Sequence, residues 1–247
     1  MQDFDGLTAI VTGGASGIGA ATAALLQQRG ARVAVLDRTL PVDDPRFLSV
    51  QCDITEADAV NRAVATVAEA FGGIDIVVNN AGIGAAGDIA GNDDDEWHRV
   101  FDVNVVGIAR ISRAALPHLR LSPHAVIVNV CSVAATVGLK NRAVYSATKG
   151  AVAALTRAMA ADHVHENIRV NAVAPGTAAT PWVERLLQAA PDAAQAEAQL
   201  KARQPMGRLV TADEVAFSIA YLANPHAACT TGTVLAVDGG MDGIQVA

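Results

Sequence analysis

The sequence predicts an α/β protein: a doubly wound sheet of seven parallel strands, in the order 3-2-1-4-5-6-7, with helices on both faces. Three observations predict it. Seven short β-branched runs alternate with longer, alanine-rich stretches of helical character, the strand-then-helix repetition of a doubly wound sheet. The runs are apolar almost without interruption, as strands covered on both faces must be. A glycine-rich stretch follows the first run and opens the first helical stretch, where such a sheet meets its ligands.

Strands are expected at 7–12 (LTAIVT), 32–37 (RVAVLD), 47–53 (FLSVQCD), 74–79 (IDIVVN), 125–130 (AVIVNV), 168–173 (IRVNAV) and 233–238 (TVLAVD). Each is bounded by turn-forming residues. Helices are expected at about 17–29, 56–71, 93–118, 143–164, 181–200 and 211–223. Only RTLPVDDPR separates the second strand from the third, and its two prolines oppose a helix. A loop or single turn is expected there. No internal repeat or low-complexity linker divides the chain, so residues 1–247 read as one domain. Alanine-rich PDAAQAEAQLKA (191–202) follows the sixth strand and reads as part of a small substrate lid, at about 178–205, over the carboxyl ends of the strands.

An apolar fraction of 51% with only 4% aromatic residues points to a core of Ala, Val, Ile and Leu. No apolar run approaches the ~18 residues of a membrane span, and MQDFDGL carries acid where an export signal carries base. A cytoplasmic protein is expected. The net charge of −7 repels a phosphate backbone, so no nucleic-acid partner is expected. Cys52, Cys131 and Cys229 form no CxxC pair, and His163 and His165, two apart on a helix, do not face each other. No metal site is expected.

In TGGASGIG (12–19), Gly13, Gly17 and Gly19 let backbone approach a pyrophosphate at the positive end of the first helix, with Ser16 and Ile18 in the same turn. Three glycines alone also suit an ordinary turn. Asp37, however, ends the second strand 18 residues after Gly19, where a carboxylate accepts hydrogen bonds from the adenosine 2′-hydroxyl and repels a 2′-phosphate. This favours NAD over NADP. Arg38 is next in the chain and is the residue that would instead pair a 2′-phosphate.

Tyr145 and Lys149 are four apart at a helix start, so they lie side by side. An ammonium close to a phenol favours the phenolate and supplies a base for proton transfer. The glycine spacing differs from GxGxxG, and with NNAG (79–82), NVCS (129–132), YSATK (145–149) and PGTAATP (175–181) it resembles the short-chain dehydrogenases/reductases over essentially the whole chain. That resemblance implies a Rossmann fold and hydride transfer between a secondary alcohol or ketone and a nicotinamide cofactor. It makes Tyr145 the acid/base, Lys149 also a ligand of the nicotinamide ribose, and Ser132 a hydrogen-bond partner of the substrate oxygen. Asn104, in DVNVVG, would hold a water linking Lys149 to solvent. Asp53 and Ile54 would border the adenine, and Asn80, Ala81 and Gly82 the ribose. Pro175, Gly176, Ala178 and Thr180 would meet the pyrophosphate and carboxamide. Asn79 and Asn129 read as structural. A cofactor-binding regulator without turnover has no need of Ser132, Tyr145, Lys149 and Asn104 together.

The family acts on sugars, steroids, alcohols and acyl thioesters, so its fold does not choose a substrate. The arginines do. Arg142 lies three before Tyr145, Arg185 sits in PWVERLLQ, and Arg203 precedes QPMGRL. Guanidinium matches a carboxylate in bidentate geometry, and cations around a reaction centre of an acidic protein suit an anionic substrate. NRAVYSATK, PGTAATPWVERL and KARQPMGR resemble one branch of the family, that of cytosolic (R)-3-hydroxybutyrate and 2-keto-3-deoxy-L-fuconate dehydrogenases. There, matching arginines contact a carboxylate, which implies a small hydroxy or keto acid. Taken alone, Arg185 and Arg203 also suit solvated surface positions. AVAALTRAMAAD, the helix after Tyr145, is apolar around most of its circumference, and the resemblance implies a homotetramer built partly on it.

Overall fold

The computed structural model describes residues 2–40, 44–188 and 190–245. Its elements run β1 (Thr8–Thr12), α1 (Gly17–Gln28), β2 (Arg32–Asp37), β3 (Phe47–Gln51), α2 (Ala57–Phe71), β4 (Ile76–Asn79), α3 (Asp94–Phe101), α4 (Gly107–Leu119), β5 (Val126–Val130) and α5 (Ala143–His163). Then come β6 (Arg169–Pro175), β7 (Ala178–Ala179), α6 (Pro181–Gln188), α7 (Ala193–Ala202), β8 (Val210–Thr211), α8 (Ala212–Ala223) and β9 (Val234–Val237). Seven strands form one parallel sheet in the order β3-β2-β1-β4-β5-β6-β9, while β7 and β8 pair only with each other. The expected order therefore holds, with β9 as the seventh strand.

Alternation along each strand assigns side chains to the two faces. Val11, Val35, Val78 and Val128 pack with Leu26 of α1 and Val215, Ile219 and Leu222 of α8. Ile10, Leu36, Val77 and Ile127 turn the other way, onto Val64 of α2, Ile111 and Leu119 of α4 and Met159 of α5. The five inner strands are thus covered on both faces, which is why they read as unbroken apolar runs, while the edge strands β3 and β9 stay partly exposed. Between β2 and β3, residues 38–40 and 44–46 form no helix, as the prolines require. No described helix is long and apolar enough to cross a membrane.

Two expected helices are each divided. The stretch 93–118 becomes α3 and α4 joined by a π turn at Asp102–Val106, a wider turn that sequence periodicity does not announce. The stretch 181–200 becomes α6 and α7, because Pro191 opposes continuation and Asp192 caps a new start, its carboxylate accepting from the Gln195 N–H at 2.9 Å. The carboxyl ends of β1, β4, β5 and β6 open onto one edge of the sheet, and the loops leaving them build the site.

Candidate active site

The glycine-rich turn after β1 is held to the turn after β4 by a shared set of hydrogen bonds. Thr12 Oγ1 accepts from the Asn80 and Ala81 N–H groups, each at 3.0 Å, and Asn80 Nδ2 donates to the carbonyls of Thr12 and Gly13 at 3.0 and 3.1 Å. Close approach requires glycine: a Cβ at Gly13 would stand 2.9 Å from Ala81 Cα, and one at Gly19 would run into the Gly13 carbonyl. Gly13 and Gly17 also have φ of 63° and 55°, where an L side chain is strained. Ser16 caps α1 without a side-chain hydrogen bond. A backbone cradle at a helix N-terminus results.

Asp37, at the end of β2, is fixed by that cradle: Oδ2 accepts from the Ala15 N–H and Oδ1 from the Thr39 N–H, both at 3.1 Å. Asp53 Oδ1 accepts from the Thr55 N–H at 2.9 Å and the Thr55 hydroxyl at 2.7 Å, and these bonds hold its carboxyl below the usual range. A cavity of about 340 Å³ runs past Gly13, Ser16, Gly17, Ile18, Asp37, Arg38, Asp53, Ile54, Asn80, Ala81 and Gly82. A second, of about 240 Å³, adjoins it at Ile18, Asn80, Gly82, Ile83, Thr180 and Trp182. It is lined by Ser132, Arg142, Tyr145, Lys149, Pro175, Gly176, Ala178 and Arg203.

Ser132 begins the turn after β5, and its Oγ accepts from the Ala134 N–H at 3.1 Å. The hydroxyl proton stays available to a substrate oxygen. Tyr145 lies in the first turn of α5 and Lys149 one turn on. The Lys149 ammonium is buried, donates to the Val130 carbonyl at 2.9 Å, and stands 5.7 Å from the Tyr145 ring centroid. Burial of an ammonium this near a phenol concentrates its charge there. Cys131 also lines the cavity, its Sγ–H donating to the Lys149 carbonyl at 3.2 Å. Burial pushes that thiol up, against the opposing pull of Lys149.

Three expected residues stand elsewhere. Gly19 packs behind the cradle. Asn104, inside the π turn, lines neither cavity: Oδ1 accepts from the Ile83 N–H at 2.8 Å, and Nδ2 donates to the Ile83 carbonyl at 2.9 Å and Thr148 Oγ1 at 3.1 Å. Both its side-chain donors are spent on Ile83 and Thr148, and they brace the loop beside Gly82. Arg185 is exposed on α6 outside both cavities, because two residues beyond buried Val183 is a rotation of about 200° to the opposite face. The expectation that Arg185 joins the pocket rim is corrected on that ground.

Arg142 immediately precedes α5, and its Nη1 donates to the Ala85 carbonyl at 2.9 Å. Backbone bonds between Gly87 and both Asn141 and Ala143 fasten the same loop. Neither Arg142 nor Arg203 has an acidic partner among the described residues. Sequence reasoning missed the apolar wall of this cavity: Leu139, Trp182, Leu186 and Leu200. Trp182 carried a signal, as one of only two tryptophans and two residues beyond Thr180.

A family model described as Enoyl-(Acyl carrier protein) reductase matches residues 13–242. Dehydrogenase/reductase SDR family member 6 of Danio rerio is 35% identical, the match covering 97% of this chain and 99% of that protein. The chain belongs to the short-chain dehydrogenase/reductase family. Among other members, the cis-4-hydroxycyclohexanecarboxylate dehydrogenase of Sinomonas cyclohexanicum is 42% identical, over 97% of this chain and 98% of its own. The aldohexose dehydrogenase of Thermoplasma acidophilum superposes with a TM-score of 0.93 at 33% identity, covering 100% of this chain and 99% of its own. Short-chain dehydrogenases/reductases are oxidoreductases that work with a nicotinamide cofactor, and the residues present fit one. The cradle presents backbone at Gly13 and Gly17, both at positive φ, with Gly19 packed close behind, as a pyrophosphate site requires. Bound there, the dinucleotide supplies the hydride acceptor or donor.

Proposed function

We propose that the protein is an NAD-dependent dehydrogenase that interconverts the secondary alcohol and ketone of a small hydroxy or keto acid. Tyr145 Oη takes the alcohol proton in oxidation and returns it in reduction. The Ser132 hydroxyl donates to the carbinol oxygen, and the buried Lys149 ammonium stabilises the tyrosinate. Gly13, Ser16, Gly17, Ile18, Asn80, Ala81 and Gly82 hold the dinucleotide with Pro175, Gly176, Ala178 and Thr180. Asp53 and Ile54 flank the adenine. Asp37 selects NAD, since an anchored carboxylate repels a 2′-phosphate, although Arg38 borders the same cavity.

The observation that carries the substrate reading is that Arg142 and Arg203, without acidic partners, line the same small cavity as Tyr145. A cavity of about 240 Å³ walled by Leu139, Leu186 and Leu200 suits a compact apolar body. The name of the Sinomonas relative describes such a compound, a ring alcohol bearing a carboxylate. Residues 178–205 form the lid, on one catalytic domain spanning 1–247.

The test compares hydroxy acids with their methyl esters, following NADH. A carboxylate clamp gives much lower kcat/KM for the ester; equal values would remove the clamp. Tyr145→Phe lowers kcat by about 10²–10⁴, and unchanged turnover would remove the acid/base role. A cytoplasmic homotetramer is proposed with it. Phe217 and Tyr221 are exposed one turn apart on α8, apolar surface of the kind a neighbouring subunit covers. Light scattering on the purified protein decides the assembly.

A further inference from the structure

Trp182 is the one aromatic residue that lines both cavities, yet it is 43% exposed. It stands in the first turn of α6, a helix whose only buried residue is Val183. α6 packs on α7 and β7, and its entry passes close to two glycines. A Cβ added at Gly17 would lie 3.4 Å from Thr180 Cγ2, and one added at Gly84 would lie 2.5 Å from Trp182 Cζ2.

Gly84 is not among the glycines with positive φ. Its backbone would accept alanine without strain, so what excludes a side chain there is the indole itself. The seat therefore serves contact rather than chain conformation.

We infer that Trp182 is a positioning residue that closes the lid: its indole, seated on Gly84, seals the junction of the cofactor and substrate cavities. The sealed junction excludes water from the reaction centre and slows release of both ligands. The inference rests on the nicotinamide cofactor and is independent of the substrate's carboxylate.

The test uses Trp97→Phe, which leaves Trp182 as the sole tryptophan; Trp97 stacks on Phe101 and lines neither cavity. Titration with NADH alone should quench Trp182 emission with the dissociation constant found by calorimetry on the wild type. In the same background Gly84→Ala should shift the emission to the red, because the displaced indole enters water. Trp182→Ala and Gly84→Ala should each raise KM for cofactor and substrate severalfold and speed the release of NADH in stopped-flow displacement. The double variant should be no worse than either single one, since both remove one contact. Emission blind to a cofactor that calorimetry shows bound, or additive effects of the two substitutions, would overturn the seal alone. Wild-type protein that binds neither NADH nor NADPH would overturn the cofactor reading and the seal with it.

Discussion

Asp102 and Arg110 form an ion pair of 2.8 Å although they stand eight positions apart on one helical path. In an unbroken α-helix, residues eight apart point about 80° away from each other. The π turn at Asp102–Val106 absorbs roughly one extra residue, and so brings the two onto one face. Arg110 Nη1 also donates to the Ile54 carbonyl at 3.3 Å. Gly107 lets α4 approach the same residue: a Cβ there would stand 2.6 Å from Ile54 Cδ1. One irregular turn thereby braces a wall of the larger cavity from behind.

Arg110→Leu tests that brace. Ile54 loses its donor and Asp102 its partner, so cofactor affinity should fall severalfold in calorimetry with little change in kcat. Both groups are partly solvated, and the stability loss in urea melts should be about 1 kcal/mol. Arg110→Lys should restore part of the affinity. Unchanged affinity in the leucine variant would make the pair a surface feature.

The sheet was legible because dry strands leave an unmistakable pattern, and the glycine turn because only glycine fits against Ala81. The π turn was not legible. Residues 102–106 contain neither glycine nor proline, and what selects the turn is a partner 21 residues away, Ile83, which Asn104 clamps at both ends of its peptide edge. The arginines divided for a related reason. Arg142 is fixed by local sequence, at the entry to α5. The facing of Arg185 depends on where α6 begins, and a break at Pro191 and Asp192 resets the phase before Arg203. Trp182 was passed over because an aromatic residue in a polar helix shows its purpose only when Gly84 is seen beneath it.

Asp37→Ala has two expected effects. Loss of the carboxylate should relax discrimination against NADP by about 1 to 3 kcal/mol, the scale of a charged hydrogen bond. Because Asp37 also accepts from the Ala15 N–H of the cradle, NAD affinity should fall at the same time. The ratio of kcat/KM for the two cofactors measures the first effect, and calorimetry with NAD the second. A wild type that prefers NADP would reverse the assignment.

The three cysteines should react at very different rates. The thiolate is the reactive form, and burial, with the Asp53 charge adding to it, pushes the Cys52 thiol up to about 11. Burial also raises Cys131, while Cys229 is exposed. At neutral pH an aromatic disulfide reagent should find one fast equivalent, with Cys52 and Cys131 following only on unfolding or at strongly alkaline pH. Cys229→Ser should abolish the fast phase. A fast phase surviving that change would show that one of the buried thiols is open to solvent.

Arg203 and Arg185 offer the sharpest contrast, since both are exposed but only Arg203 lines the cavity with Tyr145. Arg203→Ala should raise KM for a hydroxy acid by a factor worth about 1 to 2 kcal/mol, a charged hydrogen bond discounted for solvent. It should leave the methyl ester unaffected. Arg185→Ala should change neither. Arg142→Ala should weaken acid binding and also lower the melting temperature, because the Ala85 carbonyl loses its donor. If Arg185→Ala alone raised KM for the acid, α6 would have to turn by about half a rotation when substrate binds, and the closed position of Trp182 on Gly84 would not be the catalytic one.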